Sequence, residues 1–167
     1  MHRRALALSC LVAALASAGA ACAQVQETPA TDSGLLDRYV SASQDAAERA
    51  LSLIGVRYRR GGNSPESGLD CSGLVRYVFQ DTLGFELPRR SRDISRVGEP
   101  VDPAKLRPGD LVFFNTLRDA FSHVGVYLGD FRFLHAPSAG KPVRIDDMRE
   151  HYWVKRFNGA RRLLGQR

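Results

Sequence analysis

Ser122-His123-Val124-Gly125-Val126-Tyr127-Leu128-Gly129-Asp130-Phe131-Arg132-Phe133-Leu134-His135 is the stretch on which the fold turns. From His123 to Leu128, apolar residues alternate with small or polar ones, the period of a half-buried strand. Gly129-Asp130 reads as a tight turn, so Phe131 to His135 returns as the hairpin partner. Just upstream, Pro108-Gly109-Asp110 is a turn and Leu111-Val112-Phe113-Phe114 a short buried strand. Downstream, Val143 to Ile145, Tyr152 to Phe157 and Ala160 to Leu164 read as further strands. The earlier part of the chain has a different period. Ser33 can cap a helix in which Leu36, Tyr39/Val40, Ser43, Ala46/Ala47, Ala50 and Ile54 lie near one face, with Gly55 as its stop. Arg59 to Gly68 is punctuated by Gly61-Gly62, Asn63 and Pro65 and reads as a loop. Asp70 is the N-cap of a second helix that starts at Cys71, buries Leu74, Val75, Val78, Phe79 and Thr82, and ends at Gly84. Pro88 to Pro108 is basic and irregular, with a short helix after Ser91. Helices first and strands later predict an α+β fold: N-terminal helices packed on a central antiparallel sheet of about five or six strands.

The chain has 167 residues, of which 44% are hydrophobic and 25% charged, so it is long enough for one domain with a real core and too apolar for disorder throughout. Three cysteines cannot make a disulfide-dense scaffold. Fifteen glycines and eight prolines are near average usage, which excludes collagen-like and low-complexity chains. The formal charge of +6 suits an anionic partner.

Residues 1–23 read as a secretory leader. His2, Arg3 and Arg4 precede an apolar run, and Ala21-Cys22-Ala23 fits a cleavage site before Gln24. The run is short for a transmembrane anchor. Cys22 after Ala20-Ala21 also suits a lipid-modified cysteine, but Gly19 stands where a large aliphatic residue is expected, so a membrane lipid anchor at Cys22 is the lesser alternative. Residues 24–34 form a flexible lead-in and 35–167 a single domain. The expected location is the periplasm, and the expected state a monomer. Cleavage removes Cys10 and Cys22, leaving Cys71 as the one cysteine of a chain in an oxidising compartment.

Cys71 follows Asp70 and precedes Ser72-Gly73 in the first turn of a helix, where free amides and the dipole favour a thiolate. That placement predicts a thiol that alkylates faster than a model thiol. A buried, inert cysteine is the alternative from position alone. The small neighbours Ser72 and Gly73 would let a substrate carbonyl approach the Cys71 N–H as an oxyanion donor. A thiol nucleophile needs a base and a group that orients it. His123 and His135 lie at the same open end of the hairpin, equidistant from Gly129, as near-opposite neighbours. His123 can then take the thiol proton while His135 holds its ring. His151, beside Glu150, reads as surface or core edge. A zinc site built from Cys71, His123, His135 and His151 competes for these residues, but no CxxC, HxxxH or HExxH spacing occurs, so no metal or other cofactor is expected. Arg57, Arg59 and Arg60 around Tyr58, and Arg89, Arg90, Arg92 and Arg96, show no nucleic-acid module. They read as a solvated face or an attractor for an anionic polymer, and no nucleic-acid partner is expected.

The run Gly55-Val56-Arg57-Tyr58-Arg59-Arg60-Gly61-Gly62, then Gly68-Leu69-Asp70-Cys71-Ser72-Gly73-Leu74-Val75, resembles the NlpC family of bacterial cell-wall cysteine peptidases. The resemblance continues through Leu87-Pro88-Arg89, Arg107-Pro108-Gly109-Asp110-Leu111-Val112-Phe113-Phe114, Ser122 to Tyr127, Phe133-Leu134-His135-Ala136, Tyr152-Trp153 and Gly159-Ala160-Arg161-Arg162. It implies a papain-like α+β fold with Cys71 as nucleophile, His123 as base and His135 as third polar residue. It also implies Tyr58 at the substrate or oxyanion, with Ser72 and Gly73 shaping the cleft. Arg90, Ser91 and Ile94 depart from the family's usual small hydroxyl residues and Gln. The implied activity is peptidoglycan endopeptidase, cutting a stem-peptide or cross-link amide beside a diamino acid, with peptidoglycan as partner. The alternative is a non-catalytic wall-binding or adaptor module on the same fold.

Overall fold

The computed structural model describes residues 32–117 and 119–163. The leader read at 1–23, its Cys22 and most of the lead-in lie outside those residues. Helix α1 spans Asp32–Leu51. It begins inside the segment read as a lead-in, and Ser33 lies within it rather than at its cap. Among its described side chains, the buried ones are alanines: Ala46, Ala47 and Ala50. The helix ends four residues before Gly55. Ile54, expected on the inner face, is 51% exposed, and Leu53 takes the buried place in the turn that follows. Gly55 serves a different junction: its φ is +89°, and its N–H donates to the Val143 carbonyl at 2.9 Å.

The loop expected after Arg59 contains a small antiparallel hairpin, β1 (Asn63–Ser64) and β2 (Gly68–Leu69). Tyr58 bridges to Leu69 alongside it. Helix α2 is Cys71–Leu83 with the Asp70 cap and the Gly84 stop that its sequence predicts, Gly84 having φ +67° and donating its N–H to Gln80. Then come α3 (Ser91–Ile94) and β3 (Glu99–Val101). Next are β4 (Leu111–Phe114), β5 (His123–Gly129), β6 (Arg132–His135) and β7 (Arg144–Asp147). The described chain closes with α4 (His151–Val154) and β8 (Phe157–Arg162). No helix among the described residues is long and apolar enough to cross a membrane.

The main sheet has six antiparallel strands in the order β3-β8-β4-β5-β6-β7. Because strand residues alternate faces, the sheet carries two cores. Leu111, Phe113, Val124, Val126 and Leu134 meet Leu74, Val75, Val78 and Phe79 of α2 and Ala46 and Ala50 of α1. Val112, Phe114, Tyr127, Phe133 and Ala160 pack with Trp153 in a second, aromatic cluster. The expected α+β layering is present.

Three details differ from expectation. Tyr152 to Phe157 does not extend as a strand: Trp153 and Val154 donate their N–H groups to the Glu150 carbonyl, making one helical turn that buries Trp153 and leaves Tyr152 and Val154 exposed. β3 was not predicted because it contains Pro100; as an edge strand it tolerates a residue without an N–H. The hairpin turn is centred on Asp130-Phe131, both at positive φ (51° and 60°), rather than on Gly129-Asp130.

Asp110, with no exposed surface, immediately precedes β4. It accepts from Arg162 at 2.8 Å on both oxygens and from the Arg107 N–H. This ion pair ties β8 to the entry of β4. Arg162→Met leaves a buried carboxylate without its cation, and urea denaturation is expected to show a loss of about 3–5 kcal/mol.

Candidate active site

The N-terminus of α2 is held by one carboxylate. Asp70 Oδ1 accepts from the Gly73 N–H at 2.7 Å, the Ser72 hydroxyl at 3.2 Å and Arg89 Nη1 at 3.0 Å, while Oδ2 accepts from the Gly61 N–H at 2.9 Å and from Arg89 Nη2. Arg89 was grouped with a solvated basic run; instead it grips Asp70 with both terminal nitrogens and donates to the Ser72 hydroxyl at 2.6 Å. Ser72 and Gly73, expected beside the substrate, are both buried. Ser72 is spent on the Asp70–Arg89 pair. Gly73 is small for a packing reason: a Cβ there would lie 2.0 Å from the Gly62 carbonyl oxygen.

Cys71, half-buried at the start of α2, presents its sulfur to the backbone N–H groups of Val124 and Ser72. Val124 follows His123, so the helix start and the entry of β5 converge on the thiol. Tyr58 is also brought here. Burial raises its pKa first, followed by the nearby Cys71 and Asp70, with Arg60 and Arg89 opposing.

The histidines meet, but not directly across the hairpin. Val126 pairs with Leu134 and Tyr127 with Phe133, which sets His135 level with Gly125. His123 lies two residues further along the same face, and the rings touch diagonally: His123 Nε2 and His135 Nδ1 are 2.7 Å apart. Gly125 leaves room for this, since a Cβ there would fall 2.7 Å from both the Leu134 oxygen and a Phe133 ring carbon. The Trp153 ring stacks on His123 at 5.8 Å and 21° and meets His135 edge-on at 5.0 Å.

Sequence reading missed Asp146. Its Oδ2 lies 3.0 Å from His135 Nε2, and Arg144 donates to both its oxygens at 2.8 Å. The strand read at Val143 to Ile145 stopped one residue short of it. His151 is exposed and joins none of these contacts. Among the described residues no group of three or more His, Cys, Asp or Glu side chains could hold a metal ion. A surface cavity of about 380 Å³ lies elsewhere, along the outer side of α2 between Asn63, Tyr77, Gln80 and Phe85, and contains none of these groups.

The electrostatics reverse one expectation. Burial, and then the charge of Asp70, push the Cys71 thiol up to about 11 despite the helix start and its two amide contacts. Burial, and then His135, lower His123 to about 3, with Asp146 opposing. Burial also lowers His135, against the pull of Asp146. At neutral pH Cys71 therefore rests as a thiol and both imidazoles are neutral.

Comparison with known proteins matches the chain to the NlpC/P60 family over residues 55–162. It is 38% identical over 126 residues to the murein DD-endopeptidase MepH of Escherichia coli, covering 74% of this chain and 46% of that protein. It is 44% identical over 123 residues to the gamma-DL-glutamyl hydrolase of Bacillus subtilis, covering 73% and 30%. The chain thus spans less than half the length of these two relatives. A crystal structure of an NlpC/P60 family protein from Bacillus cereus superposes with a TM-score of 0.68 at 32% identity, covering 73% of this chain and 40% of that one.

Two measurements follow from the protonation states. Iodoacetamide is expected to modify Cys71 near neutral pH no faster than it modifies a model thiol; faster modification would show a preformed thiolate. Between the ordinary histidine value of 6.5 and about 3, the unfolded chain binds a proton that folded His123 does not. Stability then falls as pH drops through that window, by about 1.4 kcal/mol per pH unit from this group. The depressed Asp146 acts in the same direction, but only below the ordinary carboxylate value of 3.8. Urea midpoints compared near pH 7 and pH 5 are expected to fall more steeply in the wild type than in His123→Gln.

Proposed function

The chain belongs to the NlpC/P60 family, and from that premise we propose that it is a cysteine-type peptidoglycan endopeptidase. In this reading Cys71 is the nucleophile, His123 its base and His135 the group that orients the base. The observation that carries it is the convergence of the thiol and the His123–Val124 strand entry, with His135 bonded to the far nitrogen of the His123 ring. His123 Nε2 is occupied, so its Nδ1 is the nitrogen left for the thiol proton.

A resting thiol and a neutral imidazole favour proton transfer during attack over a standing ion pair. Cys71 Sγ adds to a stem-peptide carbonyl as His123 takes the proton. The resulting oxyanion is held by backbone N–H groups at the start of α2, with the Tyr58 hydroxyl beside the thiol as a second donor. His123 then protonates the leaving amine. Water, deprotonated by the same ring, hydrolyses the thioester and restores the thiol. Buried Ser72 and Gly73 shape the helix start and leave substrate contact to Tyr58 and the exposed arginines.

In this reading the bond is a D-Ala cross-link or the link from D-Glu to a diamino acid; similarity to a protein named as a murein DD-endopeptidase and to one named as a gamma-DL-glutamyl hydrolase supports an amide of this kind. Arg59, Arg60 and Arg90 are exposed and suit the carboxylates of a peptidoglycan stem. The leader read at 1–23 supports action outside the cytoplasm, which we assign to the periplasm, with the lipid anchor at Cys22 as the lesser alternative and a monomer as the working form.

The test is chromatography of muropeptides released from purified sacculi. Wild type is expected to release products that Cys71→Ala does not, and His123→Gln to lower the rate by about 10²–10⁴-fold. Identical chromatograms for wild type and Cys71→Ala would mean a wall-binding or adaptor module instead. The products also name the bond.

A further inference from the structure

We propose that Asp146 is a positioning residue of this site, acting through His135 to fix which nitrogen of His123 is free to accept a proton. The inference rests on the reading of Cys71 and His123 given above. It starts from what each atom is able to do. An ionised carboxylate only accepts hydrogen bonds, and a neutral imidazole has one donor and one acceptor nitrogen. Asp146 is held ionised by Arg144, which donates from Nε to Oδ1 and from Nη2 to Oδ2, both at 2.8 Å. The His135 and Arg144 hydrogen bonds keep its carboxyl well below the usual range, against the effect of burial. His135 Nε2, 3.0 Å from Oδ2, must then carry the hydrogen. His135 Nδ1 is left as an acceptor, so His123 Nε2 at 2.7 Å must donate to it. The proton of neutral His123 is thereby fixed on Nε2, and Nδ1 is bare.

Without Asp146 the two imidazoles can satisfy each other equally well in reverse. His135 Nδ1 would donate to His123 Nε2, leaving the His123 proton on Nδ1, where it blocks the base. Asp146 breaks that symmetry. Its charge also favours the imidazolium that forms on His123 when the thiol proton arrives. On His135 itself, Arg144 disfavours the charged ring and Glu150 favours it. The carboxylate and its cation come from one strand: Arg144 pairs with His135 in the β6–β7 ladder, and Asp146 is two residues on, on the same face.

Long-range imidazole nitrogen NMR on the full chain reads the tautomers directly, and steady-state rates on soluble cross-linked muropeptides read the consequence. Wild type is expected to show both rings protonated at Nε2. Asp146→Asn is expected to show a mixture of tautomers, with kcat lower by about 10–100-fold and KM within about two-fold. A wild-type His135 protonated at Nδ1 overturns the proposal, and that spectrum decides the matter even if Asp146→Asn misfolds. An Asp146→Asn protein with unchanged tautomers and unchanged kcat overturns it as well. If either result comes with an inactive Cys71→Ala, the role of Asp146 fails alone. Turnover surviving in Cys71→Ala sinks the underlying reading together with this one.

Discussion

Everything at the site is referred to the carboxylate of Asp70. It caps α2 through Gly73, pins the Gly61 loop, and is clamped by Arg89, which also takes the Ser72 hydroxyl. Five donors on two oxygens leave it little freedom, and burial makes each hydrogen bond stronger than it would be in water. The direction of the first turn of α2 is thereby set, and with it the position of Cys71. The same charge opposes a thiolate one residue away. Arg89 moderates this conflict by neutralising Asp70, so a single ion pair both places the sulfur and limits the electrostatic penalty of placing it there.

What was legible in the sequence was whatever local chemistry determines. Asp70 and Gly84 bound α2 because a carboxylate cap and a left-handed glycine are local signals. β4 and β5 were legible because apolar runs and alternation reflect burial on one or both faces. What failed depended on partners distant in sequence. Tyr152-Trp153-Val154 has strand-forming residues, yet the need to seat one indole against Phe114, Phe133 and the histidines curls it into a helical turn. The two-residue displacement of the histidine pair came from a turn on Asp130 and Phe131 at positive φ together with a register shift in the ladder between Tyr127 and Gly129, which strand alternation alone does not announce. Asp146 was hidden because its partner belongs to another strand, and Arg89 because an arginine in a basic run looks solvated until the carboxylate it grips is known.

The two cores of the sheet explain why nucleophile and base come from different layers. The helical layer contributes Cys71 from one face, and β5 and β6 carry the histidines on the other, against Trp153. They meet at the start of β5, where Val124 turns its N–H toward the sulfur while His123 points into the aromatic cluster. That cluster keeps the imidazoles dry, which lowers both rings and holds His123 neutral far below its ordinary range. Neutral rings buried among aromatics have few hydrogen-bond partners, so the arrangement of protons among them is set by whichever charged group touches the end of the chain.

That charged group stands at the solvent side of the sheet, on β7, with Arg144 beside it. A carboxylate directly against His123 Nε2 would set its full charge on the ring that has to stay neutral at rest. Interposing His135 puts the negative charge one ring further away, where it orients the base without competing for the proton. It also separates two demands that conflict at short range: a base dry enough to be neutral at rest, and a charge close enough to stabilise that base once it is protonated. The diagonal contact across Gly125 makes this spacing possible, because a side chain at 125 would collide with the Leu134 backbone and the Phe133 ring and disturb the ladder that holds both histidines.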